Sequence, residues 1–293
     1  MVRDSVTKYN DDILIYGADI STNVVGRYFV DIFWKMPRIK DLSVNFFIDY
    51  CSINEIKYVI PTRDQDVEYF SCHKSFLEKN GIYVFSADKK AVSFCFDKLK
   101  FYELSKNFNV IPTFNDLEKV KTDSVVVKER FGAGSSSIML GVNKREIVGS
   151  LDSFEEPIFQ PFIRGDEYSI DSYLSKNGVC LACVIRSRNL IIDGEAKITT
   201  IEEDQDLKSI VISFLQRYEI TGHSVIQVIK TGKEYYIIEC NARFGGASSL
   251  SYKVGLESFY WFLQEVNSKT INPQISNKKL KQVRVSKDIY IES

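Results

Sequence analysis

An acid, an amide and a guanidinium alternate where an apolar segment ends, in residues 236–246 (YIIECNARFGG). Side chains two residues apart on a strand share a face, so Glu239, Asn241 and Arg243 should point the same way. Carboxylate and amide oxygens suit Mg²⁺, and an arginine can hold an anion or the charge that develops during phosphoryl transfer. A hydrogen-bonded surface cluster would also explain the pattern. The cost of burying a glutamate in so apolar a strand without a partner favours the metal and anion site.

A lysine precedes a loop of small residues in segment 125–137 (VVVKERFGAGSSS). Gly132 and Gly134 would let backbone amides converge on an anion, and the serines that follow would add hydroxyl donors. Lys128, at the end of the predicted strand, would place a positive charge beside the same phosphates. The order differs from that of a Walker motif, in which the lysine follows the glycines. Taken alone, such a segment is more often an ordinary turn.

Segment 158–171 (IFQPFIRGDEYSID) is predicted to be extended, with Pro161 interrupting its hydrogen-bond ladder. Free backbone groups there could pair with the edge of a nucleobase, and a carboxylate just beyond could accept hydrogen bonds from ribose hydroxyls. An ordinary bent strand explains this segment equally well.

A predicted hairpin determines whether another polar side chain, that of Gln227, lies near Glu239. Its strands are Ser224–Lys230 and Glu234–Cys240. A three-residue loop would set Gln227 opposite Ile237 and on the same face as Glu239. A two-residue loop would put Gln227 on the opposite face.

The elements that must position these residues begin with alternating helices and strands. The apolar spacing predicts a short helix near residues 2–9, strands over Asp12–Gly17, Lys57–Ile60 and Ile82–Phe85, and a helix around Val67–Leu77. Alternation of this kind over about the first 90 residues is typical of a parallel sheet with crossover helices.

The pattern then changes to an amphipathic helix followed by hairpins, which indicates an α+β arrangement. The predicted elements are a helix over Asp97–Asn107, strands over Ser124–Lys128 and Ser137–Leu140, a hairpin turn at Asn177-Gly178, a helix over Leu207–Tyr218 and a last strand over Val283–Ile291.

Composition excludes several classes of protein. The 293 residues allow about two domains, and 38 Lys and Arg nearly balance 39 Asp and Glu, so no overall basic field exists for nucleic acid or an anionic membrane. The six cysteines lie mostly in apolar segments, and Cys180 and Cys183 lack the further ligands of a zinc site. Without an apolar signal core or a run of about 20 apolar residues, we expect a cytoplasmic protein that binds neither nucleic acid nor membranes.

Taken in order along the chain, these segments resemble the ATP-grasp superfamily, in the branch related to the large chain of carbamoyl-phosphate synthetase. Residues 61–64 (PTRD) resemble a motif of the α/β domain that precedes such folds. The resemblance implies a mixed α/β (α+β) protein, with a shortened Rossmann-like domain at 1–90 and an ATP-grasp domain at 91–293. Within the latter it implies a glycine-loop subdomain at about 113–160 and a metal and substrate subdomain at about 161–293. The preceding domain normally opens with a strand, so we expect that first strand to be missing here.

The resemblance also implies a role for each polar residue. Gln160 to Ile163 would meet the adenine, Glu167 the ribose, and the glycine loop would close over the phosphates and exclude water. The implied nucleotide-binding residues are Lys98, Lys128, Gly132, Ala133, Gly134, Ser135, Ser136, Gln160, Pro161, Phe162, Ile163 and Glu167. The implied metal ligands are Gln227, Glu239 and Asn241, of which Gln227 stands where many members have a carboxylate. The basic residues expected to face the γ-phosphate or the acceptor are Arg186, Arg188, Lys197 and Arg243.

The implied reaction is the activation of a carboxylate by ATP to an acyl phosphate, which an amine attacks to give an amide, ADP and phosphate. Mg²⁺ would be the cofactor, with up to two ions bound and Mn²⁺ as a substitute, and a homodimer is compatible with the family. Positioning and charge neutralisation can carry phosphoryl transfer without a protein nucleophile. Two alternatives stay open: a carbamoyl-phosphate-type enzyme that uses bicarbonate, and an ATP-binding protein without ligase activity.

Overall fold

Alternating helices and short strands form the first third of the chain, as the sequence predicts. In the computed structural model, which describes residues 1–132, 138–147 and 151–291, the strands pair in parallel, β1 with β2 and β3 with β4. The elements are α1 (Val2–Tyr9), β1 (Tyr16–Asp19), β2 (Ile32–Lys35), α2 (Val44–Ile53), β3 (Tyr58–Val59), α3 (Asp64–Lys79), β4 (Tyr83–Val84) and α4 (Lys89–Phe96).

The predicted strand Asp12–Gly17 is wrong in position, because strand pairing starts only at Tyr16. The amide of Ile15 donates to the carboxylate of Asp31 at 2.8 Å instead of to a neighbouring strand. Leu14 is 59% exposed, so this segment is not the buried strand that its apolar composition predicts.

Helix α3 confirms the predicted amphipathic pattern. Phe70 and Leu77 are buried in a hydrophobic core formed by residues of the first third of the chain, and the polar side chain of Lys74 donates through Nζ to the carbonyl of Ser86 at 2.8 Å. The chain leaves the helix through Gly81, whose φ of +77° favours glycine.

Helix α1 packs against α8 (Ser258–Val266), which lies near the other end of the chain. Lys8 Nζ lies 2.5 Å from the carboxylate of Glu257, the residue before α8, and the rings of Tyr9 and Tyr260 meet edge to face at 6.4 Å. The first and last parts of the sequence therefore meet in the fold.

A three-stranded antiparallel sheet follows α5 (Lys98–Leu104) and carries the glycine-rich segment. Its order is β6-β5-β7, and its buried side chains include Val125, Val127 and Phe159. The strands are β5 (Ser124–Glu129), β6 (Ile138–Asn143) and β7 (Pro157–Pro161).

The remaining strands form a six-stranded sheet of order β12-β11-β8-β9-β10-β13, antiparallel throughout. Helix α6 packs on one face through Val211 and Phe214, and α8 packs near the other face through Trp261. The elements are β8 (Asp166–Leu174), β9 (Cys180–Ile192), β10 (Glu195–Glu202), α6 (Gln205–Arg217), β11 (Gly222–Thr231), β12 (Glu234–Asn241), α7 (Ser249–Lys253), α8 and β13 (Lys281–Val283).

Two further boundaries differ from the prediction, while the turn at Asn177-Gly178 is confirmed. The helix expected over Asp97–Asn107 ends at Leu104. The last predicted strand, Val283–Ile291, is wrong: β13 ends at Val283, where its pairing with β10 stops, and Tyr290 is 92% exposed.

Within the described ranges, none of the helices combines the length and the apolar character needed to cross a bilayer. The domain division near residue 90 and the missing first strand stay predictions.

Candidate active site

A cavity of about 660 Å³ lies between the three-stranded and the six-stranded sheets, within the ~300–1,000 Å³ that is typical of small-molecule sites. Most of the predicted site residues line it. They are Lys98, Lys128, Gly132, Gln160, Pro161, Phe162, Ile163, Glu167, Arg186, Arg188, Gln227, Glu239, Asn241 and Arg243. Lys197 is not among the lining residues, and Ala133, Gly134, Ser135 and Ser136 lie outside the described residues.

The pairing of β11 with β12 brings Gln227 and Glu239 together by an unexpected route. The hairpin loop has two residues, since Thr231 pairs with Glu234. In an unbroken ladder, a loop of this length would put Gln227 on the face opposite Glu239. A β-bulge next to Gln227 shifts the register by one residue, and Gln227 pairs with Glu239. Bulges often re-aim side chains near functional sites.

The alternation predicted for the end of β12 is confirmed. Glu239, Asn241 and Arg243 line the cavity, whereas Cys240, between Glu239 and Asn241, is buried in the hydrophobic core. Asn241 donates through Nδ2 to Glu239 Oε1 at 3.0 Å and accepts at Oδ1 from Arg243 Nη2 at 3.3 Å. The three side chains thus form one connected group.

Lys128 supplies the partner that a glutamate in this position needs. Its side chain is 9% exposed, and its Nζ lies 3.7 Å from Glu239 Oε2. Burial raises the pKa of the Glu239 carboxyl, but the charges of Lys128 and Lys98 outweigh burial and the net pKa falls below its usual value. Burial lowers the pKa of Lys128, and Glu239 offsets only part of that effect. Glu239 is therefore ionised at neutral pH.

Lys98 lies at the start of α5, where it meets the beginning of the glycine-rich segment. Its Nζ donates to the carbonyl of Gly132 at 3.0 Å. Asp97 caps α5 and also accepts from Arg130 Nε at 2.8 Å and Nη2 at 2.7 Å. Burial raises the pKa of the Asp97 carboxyl, but hydrogen bonds from Arg130 and the backbone hold it below its ordinary value. This ion pair anchors the segment to the helix that carries Lys98.

Strand β7 and the segment after it line the opposite side of the cavity. Gln160 is buried and donates through Nε2 to Thr113 Oγ1 at 2.8 Å. The ring of Phe162 covers Gly141 so closely that an added Cβ at residue 141 would lie 3.3 Å from it. Glu167 follows at the start of β8, with its carboxylate 3.6 Å from Arg188 Nε.

Arg188 connects this side of the cavity to the Gln227 side. Its Nη1 donates to Gln227 Oε1 and its Nη2 to the carbonyl of Gly194, each at 2.7 Å. Burial lowers the pKa of Arg188, and the nearby carboxylates of Glu167 and Glu239 offset this effect in part. The Arg188 guanidinium therefore has three partners within the protein, which are Glu167, Gln227 and the carbonyl of Gly194.

Arg186 is 1% exposed and reaches the cavity from a buried polar network. Its Nε donates to Asp171 Oδ2 at 2.5 Å, while its Nη1 is buried and has no partner among the described residues. An unpartnered donor of this kind beside a cavity is suited to an anionic ligand.

Arg243 forms an ion pair with Asp64 at the start of α3. Its Nε donates to Asp64 Oδ1 and its Nη2 to Oδ2 at 2.8 Å. Lys197 differs from the other basic residues, since it does not line the cavity itself, and its Nζ donates at 2.9 Å to Glu195, which does.

Sequence analysis missed Arg130, Asp64 and Asp171 as residues that hold the site. The first two meet partners 33 and 179 residues away, which no local spacing reveals. Asp171 could have been identified, because it is the one charged residue within the buried part of β8, residues 169–174.

The donors present fit a magnesium nucleotide. Glu239, Asn241 and Gln227 offer one carboxylate and two amide groups, the oxygen donors that Mg²⁺ prefers. Lys98 and Lys128 line the same cavity and supply positive charge that suits the phosphates of a nucleotide.

A sequence model of the ATP-grasp domain matches residues 95–247, which is more than half of the 293-residue chain. The chain belongs to the ATP-grasp family. ATP-grasp proteins are ATP-dependent enzymes that form ADP and bind ATP with Mg²⁺.

This ATP-grasp chain is also similar to larger proteins. It is 22% identical to the carbamoyl phosphate synthase large chain of Pyrococcus furiosus over 62% of its own length and spans about one fifth (20%) of that relative. It resembles biotin carboxylase of Campylobacter jejuni (TM-score 0.74, 12% identity), covering 94% of this chain and 70% of the other.

Two more solved structures share the ATP-grasp fold. The biotin carboxylase domain dimer of Hydrogenobacter thermophilus 2-oxoglutarate carboxylase was solved with MgADP, ADP and bicarbonate (TM-score 0.75, 14% identity, 92% of this chain and 67% of the other). N5-carboxyaminoimidazole ribonucleotide synthetase of Thermus thermophilus matches with TM-score 0.74, 13% identity, 96% of this chain and 79% of the other. At these identities the likeness shows the fold.

Proposed function

We propose that this ATP-grasp enzyme activates a small carboxylate for attack by an amine. The carboxylate oxygen would attack the γ-phosphorus of ATP, giving an acyl phosphate and ADP. The amine nitrogen would then attack the acyl carbon, so that phosphate leaves, the nitrogen loses a proton and an amide forms.

One observation carries the proposal: a single cavity joins an ionised acid and amide group to several fixed cations. Glu239, Asn241 and Gln227 would hold Mg²⁺, which when bound neutralises phosphate charge and orients the phosphates. Lys98 and Lys128 would hold the phosphates through charge-assisted hydrogen bonds. Whether one or two ions bind, and whether Mn²⁺ substitutes, are parts of the same proposal.

The remaining basic residues would act on the anions that react. Arg243 and Arg186, which both line the cavity, would stabilise charge on the transferred phosphoryl group. Arg188 keeps Gln227 in place through its 2.7 Å hydrogen bond. Gln160, Pro161, Phe162 and Ile163 would meet the adenine, and Glu167 the ribose.

A second candidate uses bicarbonate as the acid. It is favoured by the similarity to a carbamoyl phosphate synthase large chain and to a carboxylase domain solved with bicarbonate. The chemistry of the first step is the same, because bicarbonate is also an oxygen nucleophile that ATP can phosphorylate.

The test is a screen of organic acids and bicarbonate with ATP, Mg²⁺ and hydroxylamine as the trap. A hydroxamate formed together with ADP would identify the activated organic acid, whereas ADP release that depends on bicarbonate would support the second candidate. Nucleotide binding without turnover on any acid would contradict both and support an ATP-binding protein without ligase activity.

Two variants check the assigned residues within this screen. Glu239→Gln should lose turnover, and Lys128→Ala should weaken ATP binding by about tenfold or more, since a charge-assisted hydrogen bond contributes ~1.5–3 kcal/mol. Lys121→Ala is the matched control, because Lys121 is exposed just before β5. Near-normal behaviour of both site variants would contradict the assignment.

The partner predictions stay open to measurement. We propose small-molecule substrates, and a homodimer that sedimentation can test. The domain division near residue 90 is likewise a proposal.

A further inference from the structure

The ion pair of Asp64 with Arg243 joins the first domain to the metal-side residues. Asp64 is the first residue of α3, and Arg243 follows β12, 179 residues later. Nε and Nη2 donate to the two oxygens of the same carboxylate, and the side chains are only 17% and 15% exposed. A two-bond pair of this kind fixes the plane of the guanidinium as well as its position.

Asp64 contacts Arg243, but only Arg243 lines the larger cavity. Arg243 lines the cavity of about 660 Å³, whereas Asp64 lines only a small adjoining pocket of about 30 Å³. Glu239 and Asn241 line both. Asp64 therefore contacts Arg243 without lining the larger cavity itself.

The donors of Arg243 are almost fully used by the protein. Of its five N–H groups, Nε donates to Asp64, the two on Nη2 donate to Asp64 and Asn241, and one on Nη1 donates to the carbonyl of Phe244 at 3.0 Å. The other N–H on Nη1 has no acceptor among the described residues. Its direction is set by the plane that Asp64 imposes.

We propose that Asp64 is a positioning residue for phosphoryl transfer: it holds the Arg243 guanidinium so that its free N–H meets the transferred phosphoryl group. This inference rests on the proposed function, which places Arg243 at that group. It makes the first domain a part of the active site, through residue 64 of the PTRD segment.

Charge and positioning predict opposite effects when Asp64 is changed. Removing a negative charge beside Arg243 strengthens the attraction between the guanidinium and an anion in the cavity. Losing the two-bond pair frees the guanidinium to rotate, which weakens binding of the same anion. Whether an Asp64 variant binds the anion more tightly or more weakly therefore distinguishes the effect of charge from the effect of positioning.

The experiment measures binding of inorganic phosphate to the full chain saturated with MgADP, by calorimetry. For Asp64→Asn we expect phosphate affinity to fall about tenfold, while MgADP affinity stays within about twofold of the wild type. Asp64→Glu keeps the charge but moves the carboxylate by one methylene, and it should also weaken phosphate binding. Unchanged or tighter phosphate binding in both variants would overturn the inference.

Lys8→Gln is the matched control, since it removes another ion pair between the first domain and the C-terminal part, that of Lys8 with Glu257. It should leave phosphate affinity unchanged. If Lys8→Gln lowered phosphate affinity as much as Asp64→Asn does, the effect would come from domain contact in general and the inference would fail.

The hydroxamate assay separates this inference from the proposed function. In an active wild type, Asp64→Asn should lower kcat with the KM for ATP unchanged, and adding Arg243→Lys should cause little further loss because the two residues act as one unit. A wild type that forms no hydroxamate and shows no dependence on bicarbonate contradicts the proposed function, while the phosphate measurement still decides the role of Asp64.

Discussion

Asp171 does not line the cavity, yet it accepts hydrogen bonds from several elements. Its carboxylate accepts from Arg186 Nε at 2.5 Å, from the hydroxyl of Ser251 at 2.7 Å and from the hydroxyl of Ser248. The ring of His223 lies 3.3 Å away. One buried acid therefore holds both a cavity arginine and the residues around the start of α7.

Replacing Asp171 by Asn should destabilise the fold by about 3–5 kcal/mol, because Arg186 would keep a buried charge without its partner. Burial raises the pKa of the Asp171 carboxyl, but the charge of the neighbouring Arg186 outweighs it and holds the pKa well below its usual range. A carboxyl with a depressed pKa stabilises the fold above its unfolded pKa of about 4 and loses that contribution as the pH falls.

Denaturant unfolding at several pH values checks this prediction. The difference in unfolding free energy between wild type and Asp171→Asn should be steady from pH ~8 to ~5 and shrink below pH ~4. Asp206→Asn, at an exposed position in the first turn of α6, is the control and should cost far less. A cost for Asp171→Asn as small as that of the control would contradict the role given to Asp171.

Residues that touch the cavity were more predictable than residues that hold them. Glu239 and Asn241 follow from strand alternation and from the resemblance together, since the ladder forces side chains two apart onto one face. Asp64 was recognised only as part of a motif, because its partner is 179 residues away. Lys197 is expected to face the γ-phosphate or the acceptor, and its side chain pairs with Glu195, which lines the cavity.

The segment between β7 and β8 connects the three-stranded sheet to the six-stranded sheet, and the cavity lies between these two sheets. Gly165 lies just before β8, and a Cβ added there would come 2.3 Å from the carbonyl oxygen of Lys230 in β11. No side chain fits at that distance without moving the connection or the strand. The close backbone approach explains the glycine at this point.

Gly165→Ala should destabilise the protein by about 1–3 kcal/mol, the usual cost of overpacking, and weaken nucleotide binding because residues 160–163 line the cavity just before it. Thermal unfolding and nucleotide titration measure the two effects. Gly26→Ala is the control, since nothing lies within 4 Å of the added Cβ at residue 26. Equal behaviour of the two variants would show that the connection adapts without cost.

Element types were largely predictable, whereas exact registers were not. The register of β12 against β11 depends on a β-bulge, which leaves one residue of β12 unpaired. The alternation of polar and apolar residues in the sequence does not reveal this bulge. The end of β13 is set by where its pairing with β10 stops, at Ile198 and Val283, which residues 283–291 alone do not encode.

At the scale of the whole molecule, the cavity is assembled from segments that lie far apart in the sequence. Lys98 precedes the three-stranded sheet, whereas Arg284 follows β13, and both line it. A ligand that binds only this assembled state raises stability by mass action.

MgADP at about 100 times its dissociation constant should therefore stabilise the wild type by ~2.7 kcal/mol. Thermal unfolding is measured once with ADP and Mg²⁺ and once with ADP and a chelator. The difference between the two unfolding temperatures gives the part of the stabilisation that depends on the metal. In Glu239→Gln, the shifts in unfolding temperature caused by ADP with Mg²⁺ and by ADP with a chelator should become similar, because the proposed metal ligand is lost. A metal-dependent shift as large as that of the wild type would place the ion elsewhere.

The contact of α1 with α8 also matters for how the chain is made. Lys8 and Glu257 are separated by 249 residues, so at ~5–20 residues per second α1 leaves the ribosome about 10–50 s before its partner helix exists. During that interval Val2, which packs against the cluster that contains α8, has no surface to cover it. The packing of α1 must therefore be completed late, after α8 has been synthesised.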